Sequence, residues 1–348
     1  MKVGILRNEN PNSSYKWEIA CKRYGIKYEV IDLTSFKWFE EIKNDYFDFF
    51  LTKPSGSLTH FKNMYDERLF IISKVLKSYI YPSYEECYIY ENKKLLYYYL
   101  AANNISHPNT YVFYCKNEAL NFINTDQFPL VAKTSIGASG SGVTVLRNTH
   151  QAKKYIEKAY SLKGIKRRFG PNRAVGTPGE WFVKSIRSPS YLVSKIKQYL
   201  SIYSHGERDL IIFQEYIPHD YEWRIVRIGD SYFGHQKIKQ GDKASGTKGI
   251  DYVDPPKELL NFVKALCDNH GFHFMAIDLF EDGKGGYLVN EMQTIFGHIQ
   301  DYILAVEGKP GRYIYRNKNW VFEEGNFNTN ESYDLRLKVA LELYEREK

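Results

Sequence analysis

Hydrophobic and polar positions follow two different rhythms along this chain, and the rhythm changes near residue 92. Before it, short apolar runs alternate with segments of helical period. KVGIL (2–6), IKYEVIDL (26–33) and YFDFFLTKP (46–54) read as buried strands, the last closed by Pro54. SSYKWEIACKRYG (13–25), with a serine cap and Gly25 at its end, and HFKNMYDERLFIISKVLKS (60–78) read as amphipathic helices. Strands alternating with helices predict a small parallel α/β unit over residues 1–88.

Beyond residue 92 the strands alternate apolar with polar positions, the signature of antiparallel sheets with one buried face. NKKLLYYYLAANN (92–104) and KNEALNFINT (116–125) predict helices, and TYVFY (110–114), FPLVAK (128–133) and VTVL (143–146) predict strands. LIIFQEYI (210–217), YEWRIVRIG (221–229) and SYFGHQKIK (231–239) continue the antiparallel pattern. PPKELLNFVKALCDNHG (255–271) is a helix with proline at its start and glycine at its end. FHFMAIDLF (272–280) and GGYLVNEMQ (285–293) are two further strands about the turn EDGKG, and SYDLRLKVALELYEREK (332–348) closes the chain as a helix. Residues 160–208 are rich in loop formers. The expected division is 1–88, 89–208 and 209–348.

Composition changes this picture little. The 348 residues are long enough for two or three domains or subdomains with sizeable cores. A net charge of +7 is spread along the chain rather than blocked, which fits anionic substrates at least as well as nucleic acid. The 30 tyrosines and 21 phenylalanines read as core and surface filler. Cys21, Cys87, Cys115 and Cys267 are far apart, with no CxxC pair, so no disulfide framework or zinc site is expected. No apolar run approaches a spanning length. A cytoplasmic protein without membrane or nucleic-acid partners is expected, with a homodimer left open.

The chemistry concentrates around KTSIGASGSGV (133–143). Three glycines and small hydroxyl residues between two strands form a loop whose backbone N–H groups can approach a large anion. The P-loop pattern fails, because in GDKASGTKG Thr247 precedes Lys248. The dinucleotide fingerprint fails on its glycine spacing, and no HRD or DFG triplet of a protein kinase occurs. Asp278 and Glu291 lie on consecutive strands linked by a tight turn, so cross-strand pairing can bring them together. Two facing carboxylates in a cleft repel unless a cation lies between them, and magnesium uses one or two carboxylates plus phosphates.

In the order and spacing of these motifs the chain from about Asn92 to Gly297 resembles the ATP-grasp superfamily. The resemblance implies two α+β subdomains clasping ATP beneath a glycine-rich hairpin, preceded by a small parallel α/β domain. ENKKLLYYYLAANNISHPNT is similar to the family's segment carrying its first phosphate lysine, which falls on Lys93 with Lys94 beside it. Lys133 resembles the second phosphate lysine, and loop amides at Ser139, Gly140, Ser141 and Gly142 would bond the terminal phosphates. FQEYIPHDYEWRIVRIG resembles the adenine hinge: Glu215, Tyr216 and Ile217 would read the base, and Glu222 would accept the ribose hydroxyls. Arg224 resembles the arginine that stabilises the transferring phosphate. Lys237 stands where related ligases bind phosphate or the carboxylate substrate, and Lys239 shares its strand face.

The family's Asp…Glu-x-Asn pattern appears as Asp278…Glu291-Met292-Gln293, with Gln293 one methylene longer than asparagine. Asn290 alternates to the opposite face. His219, His235 and His298 have no Ser or Cys partner in the sequence and read as structural, with His298 near where an acceptor would enter. The resemblance implies ATP and two magnesium ions as cofactors and an ATP-dependent ligase. Such an enzyme activates a small-molecule carboxylate as an acyl phosphate for attack by an amine, on an amino acid, a peptide or a surface-polysaccharide precursor. The alternatives are an ATP-grasp kinase and, given Gln293 and the missing Asn near Ser245 and Gly246, a nucleotide-binding protein without turnover.

Overall fold

The structure, a computed structural model, describes residues 1–56, 58–124, 128–137, 142–167, 206–240, 243–244, 249–297 and 301–348. The first unit is β1 (Lys2–Arg7), α1 (Tyr15–Arg23), β2 (Lys27–Asp32), α2 (Trp38–Asn44), β3 (Phe49–Thr52), α3 (Thr59–Phe70), β4 (Ile80–Tyr81) and α4 (Tyr84–Ile89). Its four strands pair in parallel in the order β2-β1-β3-β4, the sheet expected from the strand–helix alternation. The α3 helix continues through a wider turn at Ile71–Val75. The Ser14 hydroxyl at the start of α1 makes no cap bond and instead donates to Glu18 Oε1 at 2.8 Å.

Next come α5 (Lys93–Ala102), β5 (Thr110–Phe113), α6 (Lys116–Phe122), β6 (Leu130–Lys133), β7 (Val143–Leu146), α7 (Thr149–Ala159) and β8 (Ile211–Glu215). The strands form an antiparallel sheet in the order β5-β8-β6-β7. β8 lies at its centre although it follows residue 208. One face carries α6 and α7, whose Ala119, Ile123, Ala152 and Ile156 bury against Leu130, Ala132, Ile211 and Phe213. Period-2 alternation then leaves Val131 and Lys133 on the opposite face.

The largest sheet contains β9 (Tyr221–Ile228), β10 (Ser231–Gln240), β11 (Lys243–Ala244), β12 (Ile250–Asp251), β13 (Phe274–Glu281), β14 (Tyr287–Gln293), β15 (Ala305–Val306), β16 (Lys309–Arg316) and β17 (Asn319–Glu324). Its main path is β14-β13-β9-β10-β16-β15, with β11 and β12 on β10 and β17 on β16. α8 (Lys257–His270) ends on Gly271 at φ 64°, a left-handed conformation that glycine adopts without strain. The β16–β17 hairpin has no counterpart in the sequence reading, because its alternation carries Arg, Asn, Lys and Glu with few aliphatics.

The final helix, α9 (Tyr333–Glu347), ties the first unit to the large sheet. Its Tyr333 packs edge-on against Trp17 of α1, with ring centroids 4.7 Å apart. Leu337, Ala340 and Leu343 join one apolar core with Val3, Ile5 and Phe49 on one side and Ile225, Val226 and Phe274 on the other. The first antiparallel sheet keeps a separate core. The cleft therefore lies between two independently packed layers.

Candidate nucleotide-binding cleft

A cavity of about 780 Å³, partly open to solvent, lies between the β5–β8 sheet and the large sheet. Val131, Val143 and Val145 line it from the first sheet, and Ile217 and Phe280 from the other side. Gln214, Glu215 and Tyr216 line its hinge end, and Lys93, Lys133, Lys237, Glu222, Asn290 and Glu291 supply its charged end. Apolar walls suit a flat heterocycle, and clustered ammonium groups suit polyanionic oxygen.

The charged end is built by strand register. Lys237 of β10 stands opposite Glu222 of β9, Arg224 of β9 opposite Asp278 of β13, and Asp278 opposite Glu291 of β14. Directly opposed residues share a face, so two adjacent rows of charge, Lys237–Glu222 and Arg224–Asp278–Glu291, lie side by side across four strands. Arg224 donates to Asp278 through Nε at 2.7 Å and Nη2 at 2.8 Å. Lys237 donates to Asp278 Oδ2 at 2.7 Å and to Glu222 Oε2 at 2.6 Å. Burial opposes ionisation of Asp278, but the Arg224 and Lys237 cations outweigh it and hold its carboxyl well below the usual range. Burial likewise works against the Lys237 ammonium, and Asp278 and Glu222 outweigh it, so its pKa is raised.

Lys133 enters from the opposite layer. Its Nζ donates to Asn290 Oδ1 at 2.9 Å, and Asn290 Nδ2 lies 3.4 Å from Glu222 Oε1. Burial, only partly countered by Glu291, pushes the Lys133 pKa down to about 8. Asn290 overturns the expectation that it faces away. Asp278 pairs with Glu291 and Leu279 with Val289, so Asn290 is the extra residue of a β-bulge. The bulge breaks the period of two and brings both Asn290 and Glu291 into the cleft.

Of the two adjacent lysines, Lys93 faces the cleft and Lys94 does not. Lys93 Nζ donates to Gly137 O at 2.7 Å and lies 3.6 Å from Glu291, whereas Lys94 sits over the Tyr114 ring. Asn92 caps α5 by accepting from Leu95 N, and Lys93 N donates to Ser135 O, fixing α5 against the root of the glycine loop. At the far root, a Cβ on Gly142 would lie 1.8 Å from Thr134 Oγ1, so only glycine fits that close approach. Ser139, Gly140, Ser141, Lys248, His298 and the Lys243 side chain lie outside the described residues. Lys239 donates to the Tyr216 hydroxyl at 2.7 Å.

Two cleft residues had no sequence signal. Glu91, just before α5, is buried with one oxygen lacking a hydrogen bond, and it lies 3.7 Å from Lys93. Burial, then the balance of Lys93 against Glu291, raises its pKa to about 7. His219, expected to be structural, stands in the cavity wall, whereas His235 is buried with Nδ1 3.0 Å from Ile303 O.

The fit of magnesium rests on the oxygens left available. Among the described residues no group of three or more His, Cys, Asp or Glu forms a ready-made metal cage. Glu291 keeps a partly exposed carboxylate facing the cleft, and Gln293 Oε1 is met only by Arg224 at 3.5 Å. Asp278 is spanned by Arg224 and Lys237. One partly exposed carboxylate, paired with Lys93, and an amide oxygen fit an ion that takes most of its oxygens from phosphates and water.

Residues 91–166 match the RimK-like ATP-grasp domain family. No curated protein matches the chain. Among solved structures, D-cycloserine synthetase DcsG is similar at 15% identity and a TM-score of 0.55, with all of both chains covered. The D-alanine–D-alanine ligase of Bacillus anthracis complexed with ATP is similar at 13% identity and a TM-score of 0.53, covering 100% of this chain and 99% of that one. A RimK domain ATP-grasp protein from Sphaerobacter thermophilus is similar at 14% identity and a TM-score of 0.52, covering 84% and 90%. At these identities the likeness is one of fold. Residues 91–166 thus resemble the RimK-like ATP-grasp domain family in sequence, and the chain as a whole is similar in fold to these three structures.

Proposed function

We propose that the protein is an ATP-dependent ligase that activates a carboxylate as an acyl phosphate for attack by an amine. The observation that carries this reading is the convergence of Lys93, Lys133 and Lys237, from three separate elements, on the polar end of a cavity whose other end is apolar. Similar folds include an ATP-bound D-alanine–D-alanine ligase and D-cycloserine synthetase, which support nucleotide binding and ligation. A carboxylate is a poor acyl donor because its leaving group would be oxide. Phosphorylation gives it a leaving group that an amine can displace.

This chain's residues would act by charge and position. Val131, Val143, Val145 and Phe280 would hold the base, and backbone groups around Glu215 to Ile217 would read its edge. Lys93 and Lys133 would neutralise phosphate oxygens, and Arg224, with Lys237, would stabilise charge on the transferring group. Glu291 and Gln293, with Asp278 beneath, would hold magnesium, which neutralises phosphate charge when bound. The first unit, with the loop-rich residues 160–208, would shape the acceptor site.

The test is phosphate release from ATP in the presence of magnesium across pools of carboxylates and amines, followed by an oxygen-18 carboxylate. Label appearing in the released phosphate supports the acyl phosphate. A stable phosphorylated product formed without an amine would identify a kinase instead. ATP binding without release of ADP across the screen would identify a protein without turnover.

A further inference from the structure

We infer that Glu91 anchors the ammonium group of the acceptor amine where the cleft meets the first unit. The inference deepens the ligase reading and rests on it. Glu91 is 4% exposed, and its Oε2 makes no hydrogen bond. Its backbone holds φ at 52°, a left-handed conformation that disfavours a residue with a Cβ and recurs where a site fixes a side chain. From the first unit Gly56 presses against it: a Cβ there would lie 2.7 Å from Glu91 Cγ and 3.0 Å from Tyr90 Cε1. From β14, Gln293 Nε2 lies 3.5 Å from Glu91 Oε1, while Oε1 of the same amide faces Arg224. Glu91 is thus tied to the charged end of the cleft on one side and to the first unit on the other.

The charge around Glu91 is unfinished once a nucleotide is in place. Lys93 Nζ stands between two carboxylates, 3.7 Å from Glu91 Oε2 and 3.6 Å from Glu291 Oε1, and gives its short bond, 2.7 Å, to Gly137 O instead. On the ligase reading Lys93 turns to phosphate and Glu291 to magnesium. Glu91 Oε2 is then left with the weaker pull of Arg167 and no hydrogen bond. A buried carboxylate in that position is costly until a cation arrives. Magnesium suits it poorly, because that ion needs several oxygens, and no group of three or more His, Cys, Asp or Glu among the described residues could hold one. One open oxygen suits a monocation that brings its own N–H donors, which is what an amine is before it gives up a proton to attack. A hydroxyl would supply a donor and leave the charge unanswered.

Hydroxylamine, uncharged at neutral pH, traps an acyl phosphate as a hydroxamate without needing an anchored ammonium. The full chain with magnesium, ATP and the most active carboxylate of the phosphate-release screen is therefore assayed for hydroxamate with hydroxylamine and for amide with the amines of that screen. Glu91→Gln, similar in size and uncharged, should form hydroxamate within about twofold of wild type, with the amine KM raised about ten- to hundredfold, the worth of a charge-assisted hydrogen bond. An unchanged amine KM, or hydroxamate lost along with amide in a variant that melts as wild type does, overturns the inference and leaves the ligase reading standing. Should Glu91→Gln not fold, Glu91→Asp keeps the charge on a shorter arm, and an amine KM equal to that of wild type overturns the inference. Wild type that forms hydroxamate but no amide from any amine of the screen overturns it too. Absence of hydroxamate from wild type overturns the ligase reading and the inference with it.

Discussion

Two buried ionic clusters, one in the first unit and one in the cleft, use the same residue types to opposite ends. In α3, Lys62 donates to both oxygens of Asp66, at 2.5 and 2.6 Å, and reaches the carbonyls of Cys87 and Tyr88. Every polar atom there is spoken for, and the Lys62 side chain is 0% exposed. One cation does not offset the burial of Asp66, whose pKa rises to about 6. In the cleft, Asp278 has two cations and its pKa falls. Around it, Glu91 Oε2 and His219 Nε2 have no hydrogen bond. A closed cluster holds a fold together; one with surplus acceptors beside a cavity is prepared for a ligand.

The sharpest way to break this comparison is Asp278→Ala. It leaves Arg224 and Lys237 buried without their shared carboxylate, which should cost about 3–5 kcal/mol of stability. Urea unfolding and phosphate release should show a lower midpoint and no turnover, and an unchanged midpoint would contradict the ionic account of the cleft floor. Lys62→Met should cost about 3 kcal/mol by the same mechanism. Here ATP affinity should stay within about twofold, since the cluster touches no ligand. The Asp66 pKa is raised in the folded state, so its stabilising contribution is present at low pH and is lost as pH rises through about 6. The deficit in the variant should accordingly deepen above that pH, and a pH-independent deficit would count against it.

The smallest effect concerns Lys133. Its folded pKa of about 8 lies below the ordinary lysine value, so above pH 8 the free protein has lost a proton that a bound phosphate would restore. ATP affinity should be flat below pH 8 and fall above it by up to about tenfold per pH unit. Lys133→Arg, charged throughout, should remove that slope. A wild-type profile flat to pH 10 would show that Lys133 does not meet phosphate.

The elements of the cleft were legible where local pattern decides them. The strand ending in Lys133, the hinge strand ending at Glu215 and the β13–β14 pair about EDGKG all follow from alternation and turn residues. Other features were not. Asn290 was misassigned because a bulge is a mismatch between two strands, visible only once β13 is beside β14. Glu91 and His219 had no signal, since their significance is an unsatisfied atom, which is a property of the surroundings. β8 was separable from the last sheet only by its pairing with β5 and β6.

The amino-acid order by itself determined which segments become strands and helices, where the glycine loop falls, and that lysines stand at the strand and helix ends beside it. Those properties depend on backbone preferences and on periods of two or 3.6, which act over a few residues. Only the tertiary structure decided that Asp278 answers to Arg224 and Lys237 as well as to Glu291, that Lys93 rather than Lys94 enters the cleft, and that the His219 ring stands in the cavity wall. Such facts depend on register between strands far apart in the chain, where a shift of one residue would turn every side chain to the other face.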